Sequence, residues 1–132
     1  MKKLATIFLL AFFANFIWEY LHASLYLHYQ GDEISEFVLL RAALFDAAFI
    51  TILGLLFLRA RFLREHLWLA LVIGVAFAVG LERWALATGR WAYAPAMPII
   101  PFLQIGLSPT IQLGLLSYLI FWVVIGKNRE TK

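Results

Sequence analysis

Four apolar runs dominate this chain of 132 residues and restrict it to a narrow set of folds. The runs cover about 4–27, 37–58, 67–86 and 105–125, and an α-helix needs about 20 residues to cross a bilayer. Hydrophobic residues make up 64% of the sequence and charged residues only 14%, which is more apolar surface than a soluble domain of this size can bury. The sequence therefore predicts an all-α integral membrane protein, with one domain over 1–132 that forms a four-transmembrane-helix bundle.

The distribution of charged residues predicts the topology. Eight basic residues lie before the first run, between the second and third runs, and after the fourth, which is the same side of the bundle. The opposite connections hold Arg90 and the acidic residues Asp32, Glu33 and Glu36. The positive-inside rule then places both termini on the cytoplasmic side, and we expect a bacterial-type inner or plasma membrane. The net charge of +3 therefore indicates topology and no nucleic-acid partner. The basic residues are Lys2, Lys3, Arg59, Arg61, Arg64, Lys127, Arg129 and Lys132.

A long proline-rich connection at 87–104 separates the third and fourth runs. Pro95, Pro98 and Pro101 exclude a regular helix there and favour extended or turn backbone. Trp91 and Tyr93 are typical of the headgroup level of a membrane. We expect this outer loop to fold back over the mouth of the bundle.

The segment from Glu82 reads ERWALATGRWAY and continues to Met97 and Pro98. This order of an acidic helix end, a glycine, an aromatic pair and a proline resembles loops of membrane carotenoid cyclases and hydratases. The paired glutamates that follow the proline in the cyclases are replaced here by Ile99 and Ile100. The resemblance covers this segment alone; it implies a lipophilic substrate and assigns no residue.

Ionisable residues interrupt three of the four apolar runs. They are Glu19 and His22 in the first run, Arg41 and Asp46 in the second, and Glu82 and Arg83 near the end of the third. A charge at the centre of a membrane helix costs about 2.5–3.5 kcal/mol, so such residues usually face a bundle interior or a wet cavity and mark function. All of them fall in the predicted outer half, whereas the inner half is almost entirely apolar. We therefore predict a polar pocket that opens outwards above an apolar floor.

Three of these residues are the predicted catalytic groups. Glu19 and Asp46 lie at matching depth, and two neighbouring carboxylates in a low-dielectric site are expected to share one proton. One would serve as an acid and the other as a base, with His22 one helical turn from Glu19 as the proton shuttle. The alternative is that the charges form buried ion pairs that fix helix packing, such as Arg41 with Glu82 or Arg83 with Glu19.

A further set of side chains is predicted to bind the substrate. One helical stripe at the spacing i, i+3, i+4, i+7, i+11 carries Asn15, Trp18, Glu19, His22 and Tyr26. Arginine side chains on the same side match carboxylate or phosphate groups of an amphiphile. The predicted substrate-binding residues are Asn15, Trp18, Arg41, Glu82, Arg83, Arg90, Trp91, Tyr93 and Gln112.

The sequence also leaves a metal site or a nucleophilic serine as alternatives. Glu19 and His22 have the Glu-x-x-His spacing of di-iron bundles, but the motif occurs once. A mixed divalent-metal site would add Asp46 and Glu82; no metal or other cofactor is assigned. There is no cysteine, which excludes thiolate ligands and thiol catalysis. Ser108 lacks the flanking glycine of a nucleophile elbow, and a triad of Ser108, His22 and Asp46 is compatible with their depths alone.

These patterns favour one of three functions. The first is an enzyme or binder that acts on a lipophilic or amphiphilic small molecule within the lipid bilayer. The second is a proton-linked small-solute transporter or channel, for which the apolar inner half is unfavourable. The third is a structural or assembly subunit of a membrane complex. A homo-oligomer is also compatible with the sequence, with Gly54, Gly74 and Gly80 as points of close approach.

Overall fold

The computed structural model describes residues 1–29 and 34–126. Five charged residues used to predict the topology lie outside the described residues. They are Asp32, Glu33, Lys127, Arg129 and Lys132.

Four long helices account for most of the described chain. In order, the helices are α1 (Lys2–His22), α2 (Glu36–Arg59), the short α3 (Arg61–Glu65), α4 (Leu69–Ala87) and α5 (Leu107–Phe121). A 3-10 turn, Ala23–Leu25, follows α1, and a π-helical turn, Trp122–Gly126, extends α5. Each of the four long helices is long and apolar enough to cross a membrane. The prediction of a mostly helical chain with four such segments is therefore confirmed.

Local chemistry explains where α2 begins and where α4 ends. The Ser35 hydroxyl caps α2 by accepting a hydrogen bond from the Val38 amide at 3.3 Å. At the end of α4, Gly89 takes a left-handed φ of 72°, which a residue without a Cβ adopts readily. The amides of Gly89 and Arg90 then donate to the carbonyls of Leu86 and Ala85, as in a Schellman motif. This turn directs the chain after α4 back across the end of the bundle.

The helices pack as two pairs joined by α5. α1 packs mainly on α2, α4 mainly on α5, and α5 also contacts α1 and α2. A Cβ atom on Gly74 would lie 2.5 Å from the Gly114 Cα atom, so α4 and α5 touch backbone to backbone. Gly54 is similarly enclosed, since a Cβ atom added there would lie 3.0 Å from Ile7, whereas Gly80 has open space around it. Gly54 and Gly74 are therefore used for packing within the chain, and a contact between copies stays a prediction.

The end of the bundle that carries Lys2 and the turn between α2 and α4 is called the terminal end, and the half next to it the apolar half. Its core is almost wholly hydrocarbon, and the rings of Phe57 and Phe121 lie 5.1 Å apart between centroids. One hydroxyl, that of Ser117, is buried there. The buried apolar side chains of this half include Ile7, Ala11, Ala47, Ile50, Leu53, Phe57, Ala70, Leu113, Ile120, Phe121 and Ile125.

Two short strand pairs cover the opposite end, which is called the loop end. The strand β1 (Tyr26–Tyr29) pairs antiparallel with β2 (Trp91–Tyr93). The strand β3 (Ile99–Ile100) pairs antiparallel with β4 (Ile105–Gly106), which leads directly into α5. Tyr26 therefore does not continue the helical stripe of α1, because the helix ends at His22 and the backbone turns to pair with β2.

Candidate functional site

A buried polar cluster joins three helices below the loop end. Gln112 on α5 is its centre: the Nε2 atom lies 2.9 Å from Asn15 Oδ1, 3.1 Å from Glu19 Oε1 and 3.1 Å from Asp46 Oδ2. Asn15 and Glu19 belong to α1 and Asp46 to α2. Asn15 is oriented by its own amide nitrogen, which donates to the Ala11 carbonyl at 2.7 Å. These four polar side chains, Asn15, Glu19, Asp46 and Gln112, are called the Gln112 cluster.

His22 extends this cluster towards the start of α5. Its Nε2 atom lies 3.0 Å from Glu19 Oε2, and its Nδ1 atom lies 2.9 Å from the Ser108 hydroxyl oxygen. The same oxygen accepts a hydrogen bond from Trp18 Nε1 at 3.0 Å. The ring of Tyr26 packs edge-on against the imidazole, with centroids 5.4 Å apart. His22 is thereby held between a carboxylate and a serine.

Glu82 on α4 is held by the strands of the loop end. Tyr93 donates to Glu82 Oε2 at 2.5 Å, Trp91 Nε1 to the same oxygen at 3.0 Å, and Tyr26 to Oε1 at 3.3 Å. Burial and the hydrogen bond to Glu82 raise the pKa of the Tyr93 hydroxyl well above its ordinary value, so it stays a donor at physiological pH. Three donors on one carboxylate fix the first strand pair to α4.

A cavity of about 520 Å³ lies between the Gln112 cluster and Glu82. Its polar lining consists of Glu19, Arg41, Asp46, Glu82, Arg90 and Gln112. Its apolar lining includes Val38, Ala42, Phe45, Ala78, Leu81, Trp84, Pro109 and Leu113. The two arginines stand at its exposed rim. The Arg90 guanidinium lies 4.5 Å from the ring centroid of Trp84, and that of Arg41 lies 5.9 Å from Phe37.

The structure divides the predicted substrate-binding residues into three groups. Those that line the cavity are Arg41, Glu82, Arg90, Trp91 and Gln112. Asn15, Trp18 and Tyr93 act one step away, through hydrogen bonds to Gln112, Ser108 and Glu82 respectively. Arg83 is exposed and is not part of the lining.

The predicted ion pairs are not formed. In the described ranges, the ion pairs within 4.0 Å are Glu19 with His22 and, on exposed α3, Arg61 with Glu65. Arg41 and Glu82 do not pair, because Glu82 already accepts from uncharged donors and Arg41 points to the rim. Arg83 and Glu19 do not pair either, since Arg83 is on an exposed face of α4.

The carboxylates do not converge as a metal site would. Among residues 1–29 and 34–126, no group of three or more His, Asp or Glu side chains is arranged to hold a metal ion. Glu19, His22, Asp46 and Glu82, which the sequence offers as a mixed metal site, are divided between two hydrogen-bonded centres.

Ser108 contacts His22, as the depths of the two side chains allow, but the acid on the other ring nitrogen is not Asp46. The depths of the side chains suggest Asp46 as the third member of a triad, whereas the structure puts Glu19 on the far nitrogen of His22. The only sequence signal for Ser108 is its place beside Pro109 at the start of a helix that follows a long connection. Its contact with His22 spans 86 positions of sequence and depends on how α1 packs against α5.

The described part of the chain thus combines three features. They are a partly polar cavity, two carboxylates that share one amide donor, and a hydrogen-bonded chain of serine, histidine and carboxylate. All three depend on the start of α5, which supplies Ser108, Pro109 and Gln112. Comparison with protein-family models, with curated proteins and with solved structures gave no match.

Proposed function

We propose that this is a multi-pass integral membrane protein whose cavity binds a lipophilic or amphiphilic small molecule and exchanges a proton with it. The observation that carries the proposal is the cavity itself. Its volume of about 520 Å³ falls within the range of about 300–1,000 Å³ that is usual for small-molecule sites. Its walls combine hydrocarbon and aromatic side chains with a few polar groups, which is the usual composition of such sites.

The proposed orientation puts the terminal end in the cytoplasm and the loop end outside. Arg59, Arg61 and Arg64 lie at the turn between α2 and α4, on the same side as Lys2 and Lys3. Basic residues near membrane helices favour the cytoplasmic side. The cavity would then open towards the outer leaflet of a bacterial-type inner or plasma membrane.

Donor counting supports an acid–base role for Glu19 and Asp46. The Gln112 amide nitrogen carries two hydrogens but has three acceptors within 3.1 Å. One additional proton on the Glu19–Asp46 pair would complete the hydrogen bonding, because one carboxyl group would then donate to another acceptor. We propose that this shared proton is the one exchanged with the bound molecule, and that His22 relays it through Glu19.

The lining suggests how an amphiphile would be oriented. Phe45, Leu81 and Leu113 offer an apolar wall for a hydrocarbon part. Arg41 and Arg90 stand at the rim, where guanidinium groups match a carboxylate or phosphate. The reacting part of the molecule would lie towards Glu19 and Asp46.

The alternative of a transporter or channel has less support. A conducting pathway needs polar groups or broken helices on both sides of the midplane. The apolar half is closed by packed side chains such as Ile50, Phe57 and Phe121, and α4 touches α5 through glycines there. A structural or assembly subunit remains the alternative for a protein that binds no small molecule.

The experiment is native mass spectrometry with lipid extraction on gently purified protein. We expect the native protein to retain a specific small molecule. The amount retained by Asp46→Asn should be at least tenfold lower. Arg83→Gln is the matched control, because Arg83 is charged and exposed but does not line the cavity. An empty native protein whose stability is unchanged by Asp46→Asn would contradict the proposal and favour a structural subunit. Flux through proteoliposomes that depends on Asp46 would instead favour the transporter.

A further inference from the structure

A second chemical centre lies on the other side of His22 from the cavity. Ser108, His22 and Glu19 form a continuous hydrogen-bonded chain, and of the three only Glu19 lines the cavity. We propose that Ser108 is a nucleophile activated by His22 and Glu19, and that it accepts the acyl group of a lipophilic acyl ester dissolved in the membrane.

The direction of each hydrogen bond supports this assignment. Trp18 Nε1 is a donor only, so the Ser108 oxygen accepts from it at 3.0 Å. The single Ser108 hydrogen is then available for His22 Nδ1, 2.9 Å away. With its own hydrogen on Nε2, the imidazole donates to Glu19 Oε2 at 3.0 Å. In this tautomer the histidine accepts from the serine, and the carboxylate orients the histidine.

These are the roles of the serine, histidine and acid in hydrolase triads, which recur on unrelated folds. The two ring nitrogens are exchanged here, since Nδ1 faces the serine and Nε2 the acid. The carboxylate is itself fixed, because Gln112 donates to Glu19 Oε1 at 3.1 Å. The imidazole is thus held in one orientation between the serine and the carboxylate, as general-base catalysis requires.

The position of Ser108 on α5 also suits a nucleophile. It lies in the first turn of a helix of 15 residues, where the positive end of the helix dipole stabilises a developing oxyanion. Pro109, which follows, has no amide hydrogen to donate, so the helix dipole and not the next amide would stabilise that oxyanion. The helix end alone would not indicate a site; the histidine and carboxylate behind the hydroxyl do.

The surroundings of Ser108 indicate the substrate class. Ser108 is partly exposed, and the apolar side chains of Leu107 and Ile111 beside it on α5 are exposed at 44% and 36%. Leu21, next to His22 on α1, is exposed at 76%. A carbonyl group would therefore approach from the outer, lipid-facing surface of the bundle, where an acyl chain dissolves.

The proposed reaction is a double displacement. Ser108 Oγ attacks the ester carbonyl carbon while its proton moves to His22 Nδ1. The bond between that carbon and the alcohol oxygen breaks, and the alcohol leaves with the proton from His22. The resulting acyl-Ser108 ester is cleaved by water, which gives one proton to His22 and releases the carboxylic acid; that proton then returns to Ser108.

The test is covalent labelling of the purified full chain in lipid nanodiscs with a long-chain alkyl fluorophosphonate. We expect an adduct on Ser108, located by peptide mass spectrometry, and none on the exposed Ser24. His22→Gln should lower the labelling rate by about 100-fold or more, because a general base contributes about 10²–10⁴. Ser24→Ala should label as the native protein does. A long-chain 4-nitrophenyl ester should compete with the label for Ser108. It should protect Ser108 more strongly than 4-nitrophenyl acetate does.

Two results would overturn the inference: no adduct on Ser108 in folded native protein, or an equal labelling rate in His22→Gln of native-like stability. Either would leave these hydrogen bonds as a link between α1 and α5. The inference is separable from the proposed function, because Asp46→Asn empties the cavity of its proposed ligand while Ser108 stays intact. Labelling that survives Asp46→Asn would support the serine site even if the cavity binds nothing.

Discussion

The two halves of this bundle are built from the same four helices but are held together in different ways. In the apolar half the helices touch through hydrocarbon and glycine backbone, and α4 and α5 approach closely at Gly74 and Gly114. In the half next to the loop end, side-chain hydrogen bonds join the helices through Gln112, His22 and Glu82. The contrast is between a half held by close packing and a half held by hydrogen bonds.

In the lipid environment that we propose for this protein, the difference has a physical basis. Lipid tails are as apolar as leucine, so helices in a bilayer gain little by burying hydrocarbon and associate through close packing and hydrogen bonds. The helices of the apolar half associate through close packing, and those of the half next to the loop end associate through hydrogen bonds. Buried polar groups are costly unless they are paired, which is why the loop-end half is densely hydrogen-bonded.

The largest expected effect is on the apolar half. Gly74→Ala places a methyl group 2.5 Å from Gly114 Cα, and because that atom is backbone, α4 and α5 have to separate. We expect a loss of about 3 kcal/mol in the free energy of unfolding, at the upper end for overpacking. The measurement is unfolding by SDS in mixed micelles.

Gly80→Ala is the matched control, on the same helix but with nothing within 4 Å of the added methyl group. It should change stability by less than about 0.5 kcal/mol, as is usual for surface substitutions. Equal losses in both variants would contradict close packing at Gly74 as the cause, because alanine favours a helix more than glycine and helix propensity alone would not lower stability.

The next largest effect is expected in the half next to the loop end. Gln112→Leu removes the donor shared by Asn15, Glu19 and Asp46. We expect a loss of about 2 kcal/mol in unfolding free energy, since buried acceptors are left without a partner. The same substitution in an Asp46→Asn background should cost less, because the new amide can donate to Glu19. A double-mutant cycle measures this coupling, and simple additivity would contradict a shared role for the amide.

A smaller effect is expected where the loop end is fastened to α4. Tyr93→Phe removes the 2.5 Å hydrogen bond to Glu82 and should cost about 1.5 kcal/mol, which is typical of a bond to a charged group. Tyr20→Phe is the control, since Tyr20 is 58% exposed on α1. Hydrogen exchange of the β2 amides should rise in Tyr93→Phe only. Unchanged exchange would indicate that the remaining donors to Glu82 hold the strands.

The smallest effect is expected at the buried Ser117 hydroxyl in the apolar half. Within the described residues, Ser117 Oγ is the only buried side-chain nitrogen or oxygen without a hydrogen-bond partner. Ser117→Ala should therefore stabilise the protein by up to about 1 kcal/mol. Ser24→Ala, at an exposed position, should have no effect. A loss of stability in Ser117→Ala, measured by the same SDS titration, would mean that the hydroxyl has a role in packing.

Sequence reasoning located the elements better than their contacts. The four apolar runs match four helices within a few residues, because hydropathy is a local property. The cavity lining includes the predicted residues Glu19, Asp46 and Gln112, because ionisable and amide side chains inside apolar runs seldom face lipid. The predicted arginine–carboxylate pairs failed, since nothing in the sequence showed that aromatic donors would satisfy Glu82 instead.

The sequence by itself determined that the chain is mostly helical, that four helices are long and apolar enough to cross a membrane, and which half of the bundle carries polar groups. The tertiary structure alone decided the partners: Ser108 for His22, and Tyr26 with Tyr93 for Glu82. The physical reason is that polar side chains in an apolar run indicate which face of a helix points inward, but not which neighbouring helix or strand supplies their partners. Contacts between positions 86 or 97 residues apart then depend on how the helices pack.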